Sequence, residues 1–153
     1  MRPLALFFFL LACGPSWARA WNGIEPGVST RHDVVKKFGE PSKVVSAEGR
    51  ETLAYSKAKA IRGTTQAQFR VDTATQKVAR IDVFPSTTVD REAIEESYGG
   101  ACPDGPKPKT PCYVKKTTPD QRTYFHYVQI GLVVFFQKDG QTVQSIVFQP
   151  SKT

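Results

Sequence analysis

The sequence predicts an α+β fold made of two tandem repeats, each a short helix packed on an antiparallel β-sheet. Three observations predict it. Residues 69–85 (FRVDTATQKVARIDVFP) and 134–150 (VFFQKDGQTVQSIVFQP) align without a gap at an offset of 65, with Val78 on Val143, Ile81 on Ile146 and Pro85 on Pro150. Upstream, 29–39 (STRHDVVKKFG) lies over 89–99 (VDREAIEESYG) at an offset of 60, with Val34 on Ile94, Phe38 on Tyr98 and Gly39 on Gly99. In both copies an apolar stripe of helical spacing gives way to alternating segments, the period change that marks a helix followed by strands. Repeats are units of architecture, so the chain divides into a leader at 1–20, a first unit at 21–85 and a second at 86–153.

Each element has a local reason. In the first unit, Trp21 to Gly27 is an irregular lead-in. Ser29 or Thr30 then caps a helix, with Asp33 in capping-box position three residues past Thr30. Val34, Val35 and Phe38 form the apolar stripe, and Gly39 followed by Pro41 stops the helix. Lys43–Ser46 and Thr52–Ser56 form a hairpin around Glu48-Gly49-Arg50, and Lys57–Thr65 is a basic loop. Gln66–Asp72 alternates, with Ala67, Phe69 and Val71 inward and Gln66, Gln68 and Arg70 outward. A turn at Thr73–Gln76 leads into the strand Lys77–Phe84.

In the second unit Asp90 is the cap, Ala93, Ile94 and Tyr98 are the stripe, and Gly99-Gly100 is the stop. Neither helix is long enough to persist alone in water, so both must lie on a sheet. Cys112–Thr117 and Thr123–Gln129 are strands, Gly131 breaks the run, and Leu132–Gln137 follows. Asp139-Gly140 makes a tight hairpin into Gln141–Gln149. Leu132, Val134 and Phe136 face one way while Val133 and Phe135 face the other. A strand apolar on both faces is either central and covered or part of an apolar binding face.

The ends and the charge bound the setting. Arg2, the apolar run Leu4–Ala12 and Ala18-Arg19-Ala20 read as an export signal cleaved before Trp21. Leu10-Leu11-Ala12-Cys13 also resembles a bacterial lipobox, in which Cys13 would carry the lipid and hold the protein on a membrane. Both readings mean export, to the periplasm, the outer membrane or the medium. The formal net charge of +7 becomes +5 without residues 1–20, which contain Arg2 and Arg19 and no acid. Residues 21–85 carry 11 basic and 7 acidic residues, and 86–153 carry 8 and 7, a spread excess with no run of nucleic-acid type. Such a balance suits an acidic protein partner or an anionic lipid surface.

Cys102 and Cys112 bracket PDGPKPKTP, a loop with four prolines and two lysines. In an oxidising compartment the pair reads as a local disulfide. Closing so short a loop stabilises by about 2–3 kcal/mol on the chain-entropy model. The spacing does not suit zinc, and no metal or cofactor is expected.

No catalytic motif stands out. His32 sits in the first turn of a helix beside Asp33, and His126 alternates with aromatics in a strand. No GxSxG, HExxH or P-loop pattern occurs, so the expectation is a non-enzyme. Glu92, Glu95 and Glu96 give the second helix an acidic face and Arg31, Lys36 and Lys37 give the first a basic one, which suggests charge attraction between the repeats. The expected partner-binding residues are Tyr124, His126, Val133 and Phe135 on the sheet, with Lys107 and Lys109 on the cysteine-closed loop.

Gly27-Val28-Ser29-Thr30-Arg31, Asp33-Val34 and Phe38-Gly39-Glu40-Pro41 resemble the opening motif of the BamE/SmpA–OmlA-like domains, bacterial envelope modules with helices on a small antiparallel sheet. Phe69-Arg70-Val71-Asp72 and Lys77-Val78, with Arg80-Ile81, resemble their terminal hairpin. Two such units in tandem are similar in architecture to the β-lactamase inhibitor protein. Here each copy has one clear helix where the family has two, and the second copy has Gly99-Gly100-Ala101 in place of G-x-P. The resemblance implies an exported protein-binding or assembly module of the bacterial envelope. Its alternative is a secreted proteinaceous inhibitor of a hydrolase, acting through the sheet and the 102–112 loop.

Overall fold

In a computed structural model describing residues 19–106 and 108–151, two helices lie on one face of a single antiparallel sheet of eight strands. Residues 1–18, which hold most of the expected leader and Cys13, lie outside the described residues, as do Lys107 and residues 152–153. The first half runs α1 (Arg31–Phe38), β1 (Lys43–Ala47), β2 (Arg50–Ser56), β3 (Thr64–Asp72) and β4 (Val78–Pro85). The second runs α2 (Arg91–Tyr98), β5 (Val114–Thr117), β6 (Thr123–Tyr127), β7 (Leu132–Phe136) and β8 (Val143–Phe148). The strand order is β1-β2-β3-β4-β8-β7-β6-β5, so the last strands of the halves join them into one sheet.

The register makes the duplication a symmetry. At the joint Ile81 pairs with Phe148, Asp82 with Val147 and Val83 with Ile146. The sequence repeat equates Asp82 with Val147, Ile81 with Ile146 and Val83 with Phe148. Ile81 therefore faces the counterpart of Val83, Val83 faces the counterpart of Ile81, and Asp82 faces its own. A pseudo-two-fold axis passes between Asp82 and Val147.

The helix ends follow their residues. The Thr30 hydroxyl accepts from the Asp33 amide while the Asp33 carboxylate accepts from the Thr30 amide, a complete capping box. Asp90 caps α2 through the Ala93 amide. Gly39 and Gly99 end the helices at φ of 76° and 104°, where a side chain would be strained. Both helices are anchored alike: the Tyr55 hydroxyl donates to the Gly39 carbonyl and the Tyr127 hydroxyl to the Gly99 carbonyl, each at 2.8 Å. Main-chain bonds repeat too, from Val78 to Ser29 and from Val143 to Val89, and from Arg31 to Gln76 and from Arg91 to Gln141.

The core lies between the helices and the sheet. Directly opposed residues share a face, so Leu53, Phe69, Ile81, Phe148, Leu132 and Tyr127 form one row across six strands, and all are buried. Val34 and Ile94 enter it from the helices, with Phe38 and Tyr98 packed against it. Trp21 packs on Phe38 and Phe69, and Ile24 is buried, so the irregular lead-in belongs to the core. The edge strands β1 and β5 are exposed throughout. They carry Lys43, Lys115 and Lys116, charges that discourage pairing with another chain.

Several details differ from the sequence reading. The strand expected over Thr123–Gln129 ends at Tyr127, and Val128–Ile130 forms a single 3₁₀ turn closed by Gly131 in the left-handed conformation. Ala93 is exposed, because Ile94 alone points into the core at the middle of α2. The helices do not attract each other by charge. Arg31 pairs with Glu51 at 2.8 Å, and Glu95 takes Arg91 and the Tyr113 hydroxyl, all within one half. Among the described residues no ion pair joins α1 to α2.

Candidate binding face

The disulfide between Cys102 and Cys112 is formed, with the Cα atoms 4.8 Å apart. Its loop has no hydrophobic core of its own and is held at its base. Cys102 donates to the Tyr113 carbonyl, and Gln129 accepts from the Cys112 amide and donates to Pro108 and Thr110. A structural disulfide of this kind belongs to an oxidising, extracytoplasmic setting.

Both helices pack on the same side of the sheet, through Tyr55 and Phe69 for α1 and Tyr127 for α2. The opposite side has no helix over it among the described residues. Its strand residues follow from the register. One row holds Ala54, Gln68, Asp82, Val147, Val133, His126 and Val114. A second row holds Thr52, Arg70 and Arg80 in the first half, and a third holds Tyr124, Phe135 and Ser145 in the second. The pseudo-axis exchanges these last two: Thr52 with Tyr124, Arg70 with Phe135 and Arg80 with Ser145. Equivalent places on one open face are thus cationic in one half and aromatic in the other.

The four sheet residues expected to bind a partner come together here. His126 pairs with Val133 and Tyr124 with Phe135 across β6 and β7. The Tyr124 and Phe135 rings stack at 5.2 Å and remain partly exposed. Val133 is a correction to the expected apolar patch. It is only 7% exposed, because it sits mid-row between His126 and Val147, and it forms floor rather than contact surface. Lys109 is exposed on the disulfide loop. Cys102, Pro108 and Cys112 of that loop line a cavity of about 130 Å³ with Val114, His126 and Gln129, so the loop adjoins the open face through His126.

The arginines were not anticipated. Arg50, Arg70 and Arg80 line a shallow cavity of about 480 Å³ with His126, Gln149 and Pro150. Asp82, 6% exposed, is held by Arg80 through Nε at 2.9 Å and Nη2 at 2.6 Å, and by Arg70 at 3.5 Å. The signal was present in the repeat: Arg70, Arg80 and Asp82 align with Phe135, Ser145 and Val147, exchanges that each remove a charge.

Asp72 apart, the titrations described below lie away from this face. The Tyr113 hydroxyl holds the Glu95 carboxyl below the usual carboxylate range. Burial raises the phenols of Tyr55, Tyr113 and Tyr127 on the helix side. Asp33, Asp72 and Asp139 are lowered by the amides and hydroxyls of a helix cap and two turns.

No family model matches the chain, and no curated protein matches it. Among solved structures the chain is similar to a DUF4309 family protein (YjgB) from Bacillus subtilis, with a TM-score of 0.57 and 16% sequence identity. The match covers 84% of this chain and 83% of that one. At that identity the likeness is one of fold, and it extends over both helix-and-sheet halves.

Proposed function

We propose that this protein is an exported, non-catalytic binding or assembly module of the bacterial cell envelope, similar in role to the BamE-like domains, and that it holds another envelope protein against its open sheet face. The observation that carries the reading is the one-sided layering. Both helices cover one face, while the other presents a stacked Tyr124–Phe135 pair and, diagonally across the Asp82–Val147 row, an arginine cluster. Aromatic and arginine side chains are the types that dominate protein interfaces. The disulfide supports an exported setting, and the leader supports secretion or lipid anchoring through Cys13.

The test places a photo-crosslinking amino acid at Tyr124 or Phe135 and, as a control, at Glu92 on the helix side. The expected result is one discrete adduct in envelope extract from the sheet positions and none from Glu92. Adducts from Glu92 alone would overturn the assignment of the face.

A second reading, a secreted inhibitor of a hydrolase, is favoured by the continuity of the clamped loop with the sheet at His126. It predicts that the purified protein abolishes the activity of a co-secreted hydrolase, and that trimming the 103–111 loop relieves the inhibition.

A further inference from the structure

We propose that Arg50, Arg70 and Arg80 form a carboxylate-recognition subsite, and that the segment docking on the open face is an acidic stretch of a partner protein. This rests on the protein-binding reading of the same face.

The first argument is a local conflict. Arg70 and Arg80 lie directly opposite each other in β3 and β4, and like charges in that position destabilise a sheet. One carboxylate, Asp82, sits between them and takes both. Two guanidiniums share one negative charge, so the pair keeps an uncompensated cation. Arg50 lines the same cavity and makes no ion pair among the described residues. Its cross-strand partner Asp72 has its carboxylate turned to the Thr75 amide and hydroxyl. On the open face as a whole, the strands place Lys43, Arg50, Arg70, Arg80 and Lys116 against Asp72 and Asp82 alone.

The second argument is preorganisation. Asp82 grips Arg80 through Nε and Nη2, which fixes the fork and leaves Nη1 outside that grip. A guanidinium already ordered loses less entropy on meeting a carboxylate. The register also slips between Arg70 and Val71, leaving Ala79 as an extra residue in β4. Such bulges re-aim neighbouring side chains. The second half has the same slip at Gln144. The bulge is therefore architectural, and only the residues beside it distinguish the two halves.

The third argument concerns the occupant. Arg80 on β4 and Phe135 on β7 lie two strand spacings apart across β8 and on opposite sides of the Asp82–Val147–Val133 row, four residues apart along the strands, about 17 Å in all at the usual strand spacing and rise. A free inorganic anion would meet the arginines alone. An extended polypeptide with acidic and aromatic side chains meets both halves. Gln66, Gln68, Thr52 and Ser145 lie on the same face. They suit the polar groups of a peptide and would be costly to bury in the hydrocarbon of a bilayer.

The experiment measures binding of a fluorescein-labelled peptide of alternating glutamate and phenylalanine to the full chain. The same peptide with glutamine for glutamate serves as control, and phosphatidylglycerol vesicles form a separate arm. The glutamate peptide is expected to bind about tenfold or more tighter, with an advantage that shrinks as salt rises. Arg50→Gln with Arg70→Gln should remove most of that advantage. The charge-keeping Arg50→Lys with Arg70→Lys should restore part of that advantage, a rescue that a purely structural role would not produce. Equal affinity for the two peptides, or an advantage that the two glutamine substitutions leave unchanged, would overturn the subsite. Vesicle binding that depends on the arginines, without peptide binding, would overturn it in favour of a lipid. If the peptide fails while crosslinking at Phe135 persists, the face stands and the subsite falls. If both fail, both readings fall.

Discussion

Replacing Tyr55 and Tyr127 by phenylalanine, singly and together, tests whether the two halves are secured by one repeated device. Both rings are fully buried, so phenylalanine keeps the apolar contacts and removes only a hydroxyl. That hydroxyl donates at 2.8 Å to the carbonyl of the glycine ending the helix, Gly39 or Gly99. Losing a hydrogen bond of this kind costs about 1 kcal/mol, and stranding a carbonyl away from water adds about 1 kcal/mol more. The two sites differ in that second cost. Gly39 is exposed, so water can replace the phenol; Gly99 is half-buried against Pro111. Tyr55→Phe should therefore cost about 1 kcal/mol and Tyr127→Phe about 2 kcal/mol. Four strands lie between the two tyrosines in the sheet, so the double variant should lose about 3 kcal/mol, additive within about 0.5 kcal/mol. Urea unfolding followed by circular dichroism reads this as a shift in midpoint at constant slope. A neutral Tyr127→Phe, or a larger loss at Tyr55 than at Tyr127, would refute the reasoning.

Alkaline pH should unfold the protein through buried phenols. Burial raises Tyr55, Tyr113 and Tyr127 above the ordinary value of 10.0. Below that pH both states are protonated and stability is complete. Above it the unfolded chain ionises first, and stability falls until the folded phenols titrate. Urea midpoints measured from pH 8 to pH 11 should be level at first and decline only above about pH 10; a level profile throughout would count against buried phenols. Gly39→Ala and Gly99→Ala separate backbone strain from space. Both sites have positive φ, but an added Cβ meets nothing at Gly39 and strikes the Pro111 carbonyl at Gly99. The first should cost about 1 kcal/mol, and the second about 3 kcal/mol or more because it adds overpacking to strain. Equal losses by thermal melting would show that the 99–111 contact yields.

The parts of the fold written locally were legible. Thr30 with Asp33, and Asp90, fixed where the helices begin, and Gly39 and Gly99 fixed where they stop. Ala67, Phe69 and Val71 gave the buried face of β3 because strand alternation is a local property. The joint between β4 and β8 was not legible, since nothing in a single strand names its long-range neighbour. Tyr113 was read as part of an ordinary strand. It is buried and stacked on Phe125 at 3.6 Å, with its hydroxyl on Glu95, a set of contacts brought together by folding alone. The charges of the two helices misled for the same reason. Glu51 and Tyr113 lie far along the chain from Arg31 and Glu95, and they satisfy those charges within each half. Of the candidate face, Tyr124 and Phe135 were legible as aromatics in alternating strands, whereas Arg70 read as one more outward polar residue.

The division of the open face has one structural origin. At a two-fold axis each residue meets its own counterpart, so a difference there cannot be balanced by its copy elsewhere. Asp82 opposite Val147 is such a difference. A carboxylate 6% exposed requires cations and hydrogen bonds, and only the first half provides them, as Arg70 and Arg80. Those arginines in turn repel each other across the β3–β4 ladder and need Asp82 between them. The three residues form a mutually dependent set. Val147 makes no such demand, and the positions equivalent to the arginines hold Phe135 and Ser145, with Tyr124 stacked alongside. One asymmetric pair on the axis is thus sufficient to make a cationic half and an aromatic half from a duplicated unit. A partner that reads both halves can dock in only one of the two orientations that the symmetric backbone would otherwise permit.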